Sequence, residues 1–215
     1  MTWDGVRGRL AKRRDSRSVF GASAHGFRLA PPLREPEAEG VEEQFGTSLP
    51  EPYRSFLVEV GASGAGPGYG LLGFRRSGRR WEFAVGDRRG DGVDSRAEFP
   101  HRELFHHAER PDFTTIPRER WPELSRSLDA SNEAGTHGTL PLCHRGCGHY
   151  DLLVVTGPDR GALWFDCEAS DGGIGPRADG RGRMTFDPWY LGWLAEVELQ
   201  AERARGHQAS WWSRR

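Results

Sequence analysis

Apolar residues recur with helical spacing in two segments of this chain, and a third segment begins like a helix. Within 50–60, one helix face would carry Tyr53, Phe56, Leu57 and Val60, because these positions fall at i, i+3, i+4 and i+7. The segment 186–203 has a longer stripe of Phe186, Trp189, Tyr190, Trp193, Leu194 and Val197. The segment 35–45 opens with glutamates, which the positive end of a helix favours. We therefore predict helices over 35–45, 50–60 and 186–203.

Three segments in the third quarter of the chain are typical of strands: 138–144, 149–155 and 162–168. They are rich in aliphatic and aromatic residues, and glycine-containing turns separate them. Apolar side chains occur at successive positions, so both faces of the sheet would be apolar, as in a sheet that helices cover. The order helices, sheet, helix predicts an α+β fold of one domain. Its antiparallel-rich central sheet would be packed by N-terminal helices and a C-terminal helix.

Tight turns between these segments would set the register of the strands. Residue 143 would then face 151, and 151 would face 167. One face of the sheet would carry Leu153, Val155, Leu163 and Phe165, and the other Leu152, Val154 and Trp164. The predicted meander can therefore be tested residue by residue, since a slip of one position would exchange the two faces.

Composition divides the rest of the chain. Residues 1–19 are basic and form either an arm or a short helix with Val6 and Leu10 on one face. The domain proper spans 20–205, and 206–215 form a C-terminal tail. Six glycines in 61–74 predict tight turns and close approaches of the backbone. We expect a strand to follow at Phe74, a second strand from Trp81 to Val85, and an irregular stretch over 86–137 with a helix near Glu123 to Leu128.

Charge and composition exclude several classes of protein. The 215 residues include 30 basic and 31 acidic side chains, a net charge of −1, which disfavours a general nucleic-acid binder. No apolar run is long enough to span a membrane, and the N-terminus lacks the apolar core of a signal peptide. Three cysteines do not make a disulfide framework. We therefore expect a cytoplasmic protein.

Candidate chemistry is sparse. Cys143, His144, Cys147, His149 and Cys167 are the best metal candidates, because zinc takes nitrogen and sulfur ligands. Strand alternation points Cys143 and His144 in opposite directions, so cysteines buried for packing are the alternative. The glycine pattern of 68–73 follows a helix and leads into a strand, the reverse of a dinucleotide loop. We predict no catalytic residues and no cofactor.

The run LPEPYRSFLVEVGASGAGPGYGLLGF (49–74) resembles the signature of the SUKH superfamily, which includes Smi/Knr-type fungal cell-wall regulators and many bacterial immunity proteins. The resemblance extends over about 20–200 and is poorest over 75–137. A departure occurs at 62–64, where Ala-Ser-Gly replaces the usual Asn-Gly-Gly. The positions of the fold signature are Leu49, Pro50, Tyr53, Phe56, Leu57, Gly66, Pro67, Tyr69, Gly70, Trp164, Trp189 and Trp193. We expect six of its large side chains, on two predicted helices and one predicted strand, to be mostly buried: Tyr53, Phe56, Leu57, Trp164, Trp189 and Trp193.

The resemblance implies a protein that binds another protein and catalyses nothing. The favoured hypothesis is a bacterial immunity protein, an antitoxin that neutralises a cognate polymorphic or contact-dependent toxin by forming a complex. The partner would be a toxin domain, with no direct contact to nucleic acid or membrane. The alternative is a regulatory or scaffolding module resembling the fungal members. An enzyme or a metal-binding protein is the least favoured of the three hypotheses.

Two charged surfaces are candidates for contact with the partner. The acidic helix, with Glu37, Glu42 and Glu43, suits a basic partner such as a nuclease toxin, and we favour it over the other surface. The second is the arginine-rich segment with Arg75, Arg76, Arg79 and Arg80, which suits an acidic partner. A solvated helix face, partly neutralised by the basic residues of 7–17, is the simpler explanation of the acidic helix.

Overall fold

A central four-stranded antiparallel sheet organises the computed structural model, which describes residues 3–14, 16, 19–83, 94–106 and 113–212, with the backbone alone at 132 and 205–212. The helices are α1 Val6–Ala11, α2 Ala22–His25, α3 Glu35–Phe45, α4 Glu51–Glu59, α5 Trp121–Gly135 and α6 Phe186–Trp212. The strands are β1 Phe74–Ser77, β2 Arg80–Phe83, β3 Thr139–Gly146, β4 His149–Val154, β5 Leu163–Asp166, β6 Ile174–Pro176, β7 Ala178–Asp179 and β8 Gly182–Arg183. The central sheet has the strand order β3-β4-β5-β6. Strands β1 and β2 form one separate hairpin, and β7 and β8 form another. The predicted α+β class is confirmed.

The predicted register is right between β3 and β4 and wrong between β4 and β5. Cys143 pairs with Asp151 as predicted, but Asp151 pairs with Phe165 rather than with 167. Val154 N donates to the Ala162 carbonyl oxygen at 3.0 Å where the β4–β5 turn closes. This hydrogen bond shifts the pairing of β5 with β4 by two residues from the predicted register. A shift of two residues keeps every side chain on its predicted face.

Both faces of the sheet are apolar, as the alternation predicts. Leu153, Val155 and Leu163 belong to a large core that includes the buried faces of α4 and α6. Leu152, Val154 and Trp164 belong to a smaller core on the other face, with Phe99, Tyr150 and Ile174. Phe99 comes from the segment 94–106, and its ring lies 4.7 Å from that of Trp164. The second face of the sheet is therefore covered in part by an irregular segment, whereas the sequence predicts a cover of helices.

Of the two alternatives for the N-terminal residues, an arm or a short helix, the structure has the short helix. Val6 and Leu10 of α1 are buried in the large core together with Trp3. Arg9 forms a salt bridge of 2.7 Å with Glu198 of α6. This contact ties α1 to the C-terminal helix, so Arg9 does not neutralise the acidic helix α3.

The helices lie where the sequence predicts them, and two of them, α5 and α6, are longer than predicted. The helix predicted near Glu123 is α5, and α6 continues beyond 203 to Trp212, through most of the predicted tail. Residues 84 and 85, the end of the strand predicted from Trp81, lie outside the described residues, as do 213–215. Within the described part of the chain, no helix combines the length and the apolar character needed to cross a membrane.

Candidate protein-binding groove

An open groove of about 590 Å³ lies between helix α3 and the β1–β2 hairpin, and we call it the α3–hairpin groove. Trp81 and Gln44 are among the residues that line it. Its charged lining residues are Arg34, Glu37, Glu43, Arg76, Arg79 and Arg96. The groove therefore joins the two charged candidate surfaces, since residues of the acidic helix and of the arginine-rich segment line one site.

Hydrogen bonds from the Gln44 side chain and packing of aromatic rings hold the hairpin against α3. Gln44 Nε2 donates to the Trp81 carbonyl oxygen at 2.5 Å, and Trp81 N donates to Gln44 Oε1 at 2.7 Å. The ring of buried Phe74 lies 5.3 Å from that of Phe45 at the end of α3. Gly40 leaves room for the indole, because a Cβ there would lie 3.3 Å from Trp81 Nε1. These contacts hold one wall of the groove at a fixed distance from the other.

Strand alternation divides the four candidate arginines of the hairpin. Arg76 pairs across the hairpin with Trp81 and lines the groove, as does Arg79 near the turn. The Arg76 guanidinium lies over the Trp81 ring, 5.9 Å from the centroid. Arg75 is on the opposite face and forms a cross-strand salt bridge of 2.7 Å with Glu82. Arg80 starts β2 and is exposed, and neither it nor Arg75 is among the groove residues.

The three candidate glutamates of α3 have different surroundings. Glu37 accepts hydrogen bonds of 2.9 Å from the backbone N–H and the guanidinium of Arg34, and these contacts lower the pKa of Glu37 to about 2. Glu42 points inward: it accepts from Leu49 N at 2.7 Å and from Arg54 Nε at 3.3 Å. Glu43 is exposed in the groove. The charge of Glu42 is therefore already paired within the chain, and its contact with a partner stays a prediction.

Arg96 is a groove residue that the sequence did not predict. Its Nη2 donates to the Gln44 carbonyl oxygen at 3.0 Å, and its Nε donates to that of Phe45 at 3.4 Å. These are terminal carbonyls of α3, and a cation is favoured at this negative end of a helix. The contact spans about 50 residues of sequence, and one arginine among many gives no signal for it.

Most fold-signature residues are buried, and two are only partly so. Tyr69 is 46% exposed, and its ring packs between Phe20 at 5.2 Å and His144 at 5.4 Å. Trp193 is partly buried, with more of its side chain covered than exposed, in agreement with the prediction; it packs on Phe27 and Tyr190 at the edge of the core. The buried positions are Leu49, Pro50, Tyr53, Phe56, Leu57, Gly66, Pro67, Gly70, Trp164 and Trp189. None of the twelve lines the groove.

The glycines of 61–74 serve the path of the backbone. Gly64 has φ of 113° and bridges both Leu29 and Leu71. A Cβ at Gly73 would lie 1.8 Å from the Ala62 carbonyl oxygen. Both positions therefore require glycine for packing, and the loop enters β1 rather than the N-terminus of a helix.

The candidate metal ligands do not converge. His149 Nε2 lies 2.6 Å from Ser170 Oγ, and His144 Nε2 accepts from Gly148 N at 3.3 Å. Cys143 is buried and Cys147 exposed. Among the described residues, no group of three or more histidine, cysteine, aspartate and glutamate side chains is placed to hold a metal ion.

A buried carboxylate that the sequence did not single out connects the sheet to α6. Asp151 is fully buried in β4, and its Oδ2 accepts from Trp189 Nε1 at 3.0 Å and from Arg145 Nε at 2.9 Å. Its Oδ1 accepts from Arg177 Nε at 2.7 Å. Burial, with the charge of Asp151, raises the pKa of the Cys143 thiol, whose Sγ lies 3.4 Å from Oδ2. This cluster is a structural connection, since two arginines and an indole already satisfy the carboxylate.

Comparison of the chain with protein-family models, with curated proteins and with solved structures found no match.

Proposed function

We propose that this protein is a non-catalytic binding domain of the SUKH type, an immunity protein that neutralises a cognate toxin in the bacterial cytoplasm by forming a complex with it. The observation that carries the proposal is the α3–hairpin groove. There, a tryptophan and charged side chains from three separate segments meet on one open surface. Tryptophan and arginine are enriched among the residues that contribute most to protein–protein affinity.

The separation of groove and core supports the same proposal. The fold-signature residues lie outside the groove, most of them in the core, whereas Arg76, Arg79 and Arg96 are exposed. Groove side chains can therefore change with the partner while the core remains intact. An inhibitor that must match one particular toxin needs this independence, because specificity depends on contacts that favour one partner and reject others.

The surroundings of Cys143 and Cys167 disfavour thiol chemistry at these two positions. A cysteine acts as a nucleophile or metal ligand through its thiolate. Burial raises the pKa of Cys143 and, with the Asp166 carboxylate, that of Cys167. Both shifts disfavour the thiolate, so these residues are poorly suited to the enzyme or metal-binding hypotheses.

Co-expression with a toxin tests the proposal. The partner to use is the toxin domain encoded beside this gene, and the readout is survival of cells that express both proteins. We expect the wild-type chain to restore growth and the double variant Arg76→Glu/Arg79→Glu to fail. A matched variant, Arg126→Glu/Arg181→Glu, changes the charge equally at exposed positions outside the groove and should still protect.

Two results would contradict this proposal. If the wild-type chain does not protect against the adjacent toxin, the immunity function is wrong, and the regulatory or scaffolding alternative is favoured. If the groove variant protects as well as the wild type, toxin binding occurs on another surface.

A further inference from the structure

We propose that the α3–hairpin groove receives an acidic segment of the partner protein. This inference rests on the proposed function and reverses the sequence-based preference for a basic partner. It is carried by the difference between the charges that are already paired within the chain and those that are not.

The carboxylates of α3 are largely paired from within. Glu37 accepts two hydrogen bonds from Arg34 at the start of the helix. Arg54 of α4 forms salt bridges with Glu35 at 2.8 Å and with Glu42 at 3.3 Å. A basic partner would have to compete with these arginines, and it would find Glu43 as the exposed carboxylate of the groove.

Of the four groove arginines, Arg34 forms a salt bridge with Glu37. The other three, Arg76, Arg79 and Arg96, form no salt bridge with a described residue, although the charge of Arg76 also helps to lower the pKa of Glu37. Arg76 Nε donates to the Gly78 carbonyl oxygen at 3.2 Å, and Arg96 donates to the carbonyl oxygens at the end of α3. No hydrogen bond or ion pair joins the Arg79 side chain to another described residue. Four arginines and two glutamates line the groove, so its charge is positive although the whole chain carries −1.

The arrangement fits a protein segment better than a nucleic acid. Guanidinium groups bind carboxylates through paired hydrogen bonds, and each such bond is stronger than one between neutral groups. The Glu43 carboxylate lies in the same groove and would repel a continuous phosphate backbone. A peptide can instead place a backbone N–H or a hydroxyl there while its carboxylates meet Arg76, Arg79 and Arg96. The Trp81 ring adds an apolar surface for the stems of its side chains.

Fluorescence anisotropy with a labelled decaglutamate peptide tests this inference without any toxin. At low salt we expect saturable binding to the wild-type protein, weakened about tenfold in Arg76→Glu/Arg79→Glu and about twofold or less in Arg126→Glu/Arg181→Glu. The variant Glu43→Arg should bind the peptide several-fold more tightly, about threefold to fivefold. This gain cannot come from a failure to fold. Circular dichroism would confirm that the weakened variant retains its structure.

Four outcomes would overturn the inference: no binding of decaglutamate to the wild type, equal losses in the groove and matched variants, no gain in Glu43→Arg, or tighter binding of decalysine. A single-stranded oligothymidylate that binds more tightly than decaglutamate would also overturn it, in favour of a nucleic-acid groove. None of these results bears on protection against the toxin, so the two proposals fail separately.

Discussion

The side-chain amide of Gln44 occupies the backbone N–H and carbonyl groups of Trp81, which lies 37 residues further along the chain. An exposed strand edge offers unpaired backbone groups, and here one glutamine satisfies a pair of them. The last turn of α3 therefore holds β2 in the manner of a neighbouring strand. This relationship gives the α3–hairpin groove its two walls.

Replacement of Gln44 by alanine should loosen the hairpin from α3. Both hydrogen bonds are lost and two partly buried backbone groups lose their partner, which should lower the free energy of unfolding by about 1–2 kcal/mol. Urea denaturation measures the change. Gln200, exposed on α6, offers a matched control, and Gln200→Ala should stay within about 0.5 kcal/mol of the wild type. Equal effects in the two variants would mean that the Gln44 contacts contribute nothing to stability.

Removal of the Asp151 carboxylate should be far more damaging. Asp151→Ala leaves Arg145, Arg177 and the Trp189 indole without their common acceptor. Because both arginines are partly exposed, the cost should be about 3 kcal/mol, the low end for breaking a buried charge pair. Thermal and urea denaturation together measure the loss. Asp129→Ala, at an exposed position on α5, serves as the control. A cost below about 1 kcal/mol for Asp151→Ala would show that the cluster is no stronger than a surface salt bridge.

The two tryptophans of the fold signature should differ in their effect on stability. Trp164 lies on β5, which pairs with β4 on one side and β6 on the other, and its side chain is fully buried. Trp164→Ala should therefore lower the free energy of unfolding by about 3–5 kcal/mol as a core truncation. Trp193 is partly buried, and Trp193→Ala should cost about 1–2 kcal/mol, since less apolar surface is lost. Chemical denaturation of both variants under one condition provides the comparison. A larger loss for Trp193 would contradict the burial seen here.

Glu37 should contribute to stability in a pH-dependent way. Its pKa falls from an ordinary value of 4.5 to about 2 because the Arg34 side chain and backbone bind the ionised form. A pKa lowered by folding means that the contribution is present above pH 4.5 and is lost as the pH falls toward 2. Glu37→Gln should therefore be less stable than the wild type at pH 6 and equal to it near pH 2, about the folded-state pKa. Arg34→Gln should reduce the same pH-dependent difference without abolishing it, because the backbone N–H of residue 34 still donates to the Glu37 carboxylate. A difference between wild type and Glu37→Gln that does not change with pH would be inconsistent with this ion pair.

The parts of the fold that depend on local sequence were predictable, and those that depend on distant contacts were not. The spacing of Tyr53, Phe56 and Leu57 predicts α4 within a residue at each end. The β4–β5 register is two residues from its prediction, because hydrogen bonds at Ala162 decide where the turn closes. Alternation along β1 and β2 separates Arg76 from Arg75, but only after the hairpin pairing is known.

The same distinction applies to the candidate site. Helical spacing cannot tell that Glu42 points toward Arg54 on the next helix while Glu43 faces the groove. Arg96 reaches α3 across about 50 residues, and no periodic pattern marks it among the other arginines. The sequence therefore identified both charged segments, whereas tertiary structure decided which of their side chains meet.

Hydrogen–deuterium exchange of the protein alone and in complex with the adjacent toxin domain tests the central claim most directly. The account predicts slower exchange in 35–45 and 74–83, the two walls of the α3–hairpin groove, with little change in α5. Unchanged exchange in both walls, together with protection elsewhere on the molecule, would contradict it.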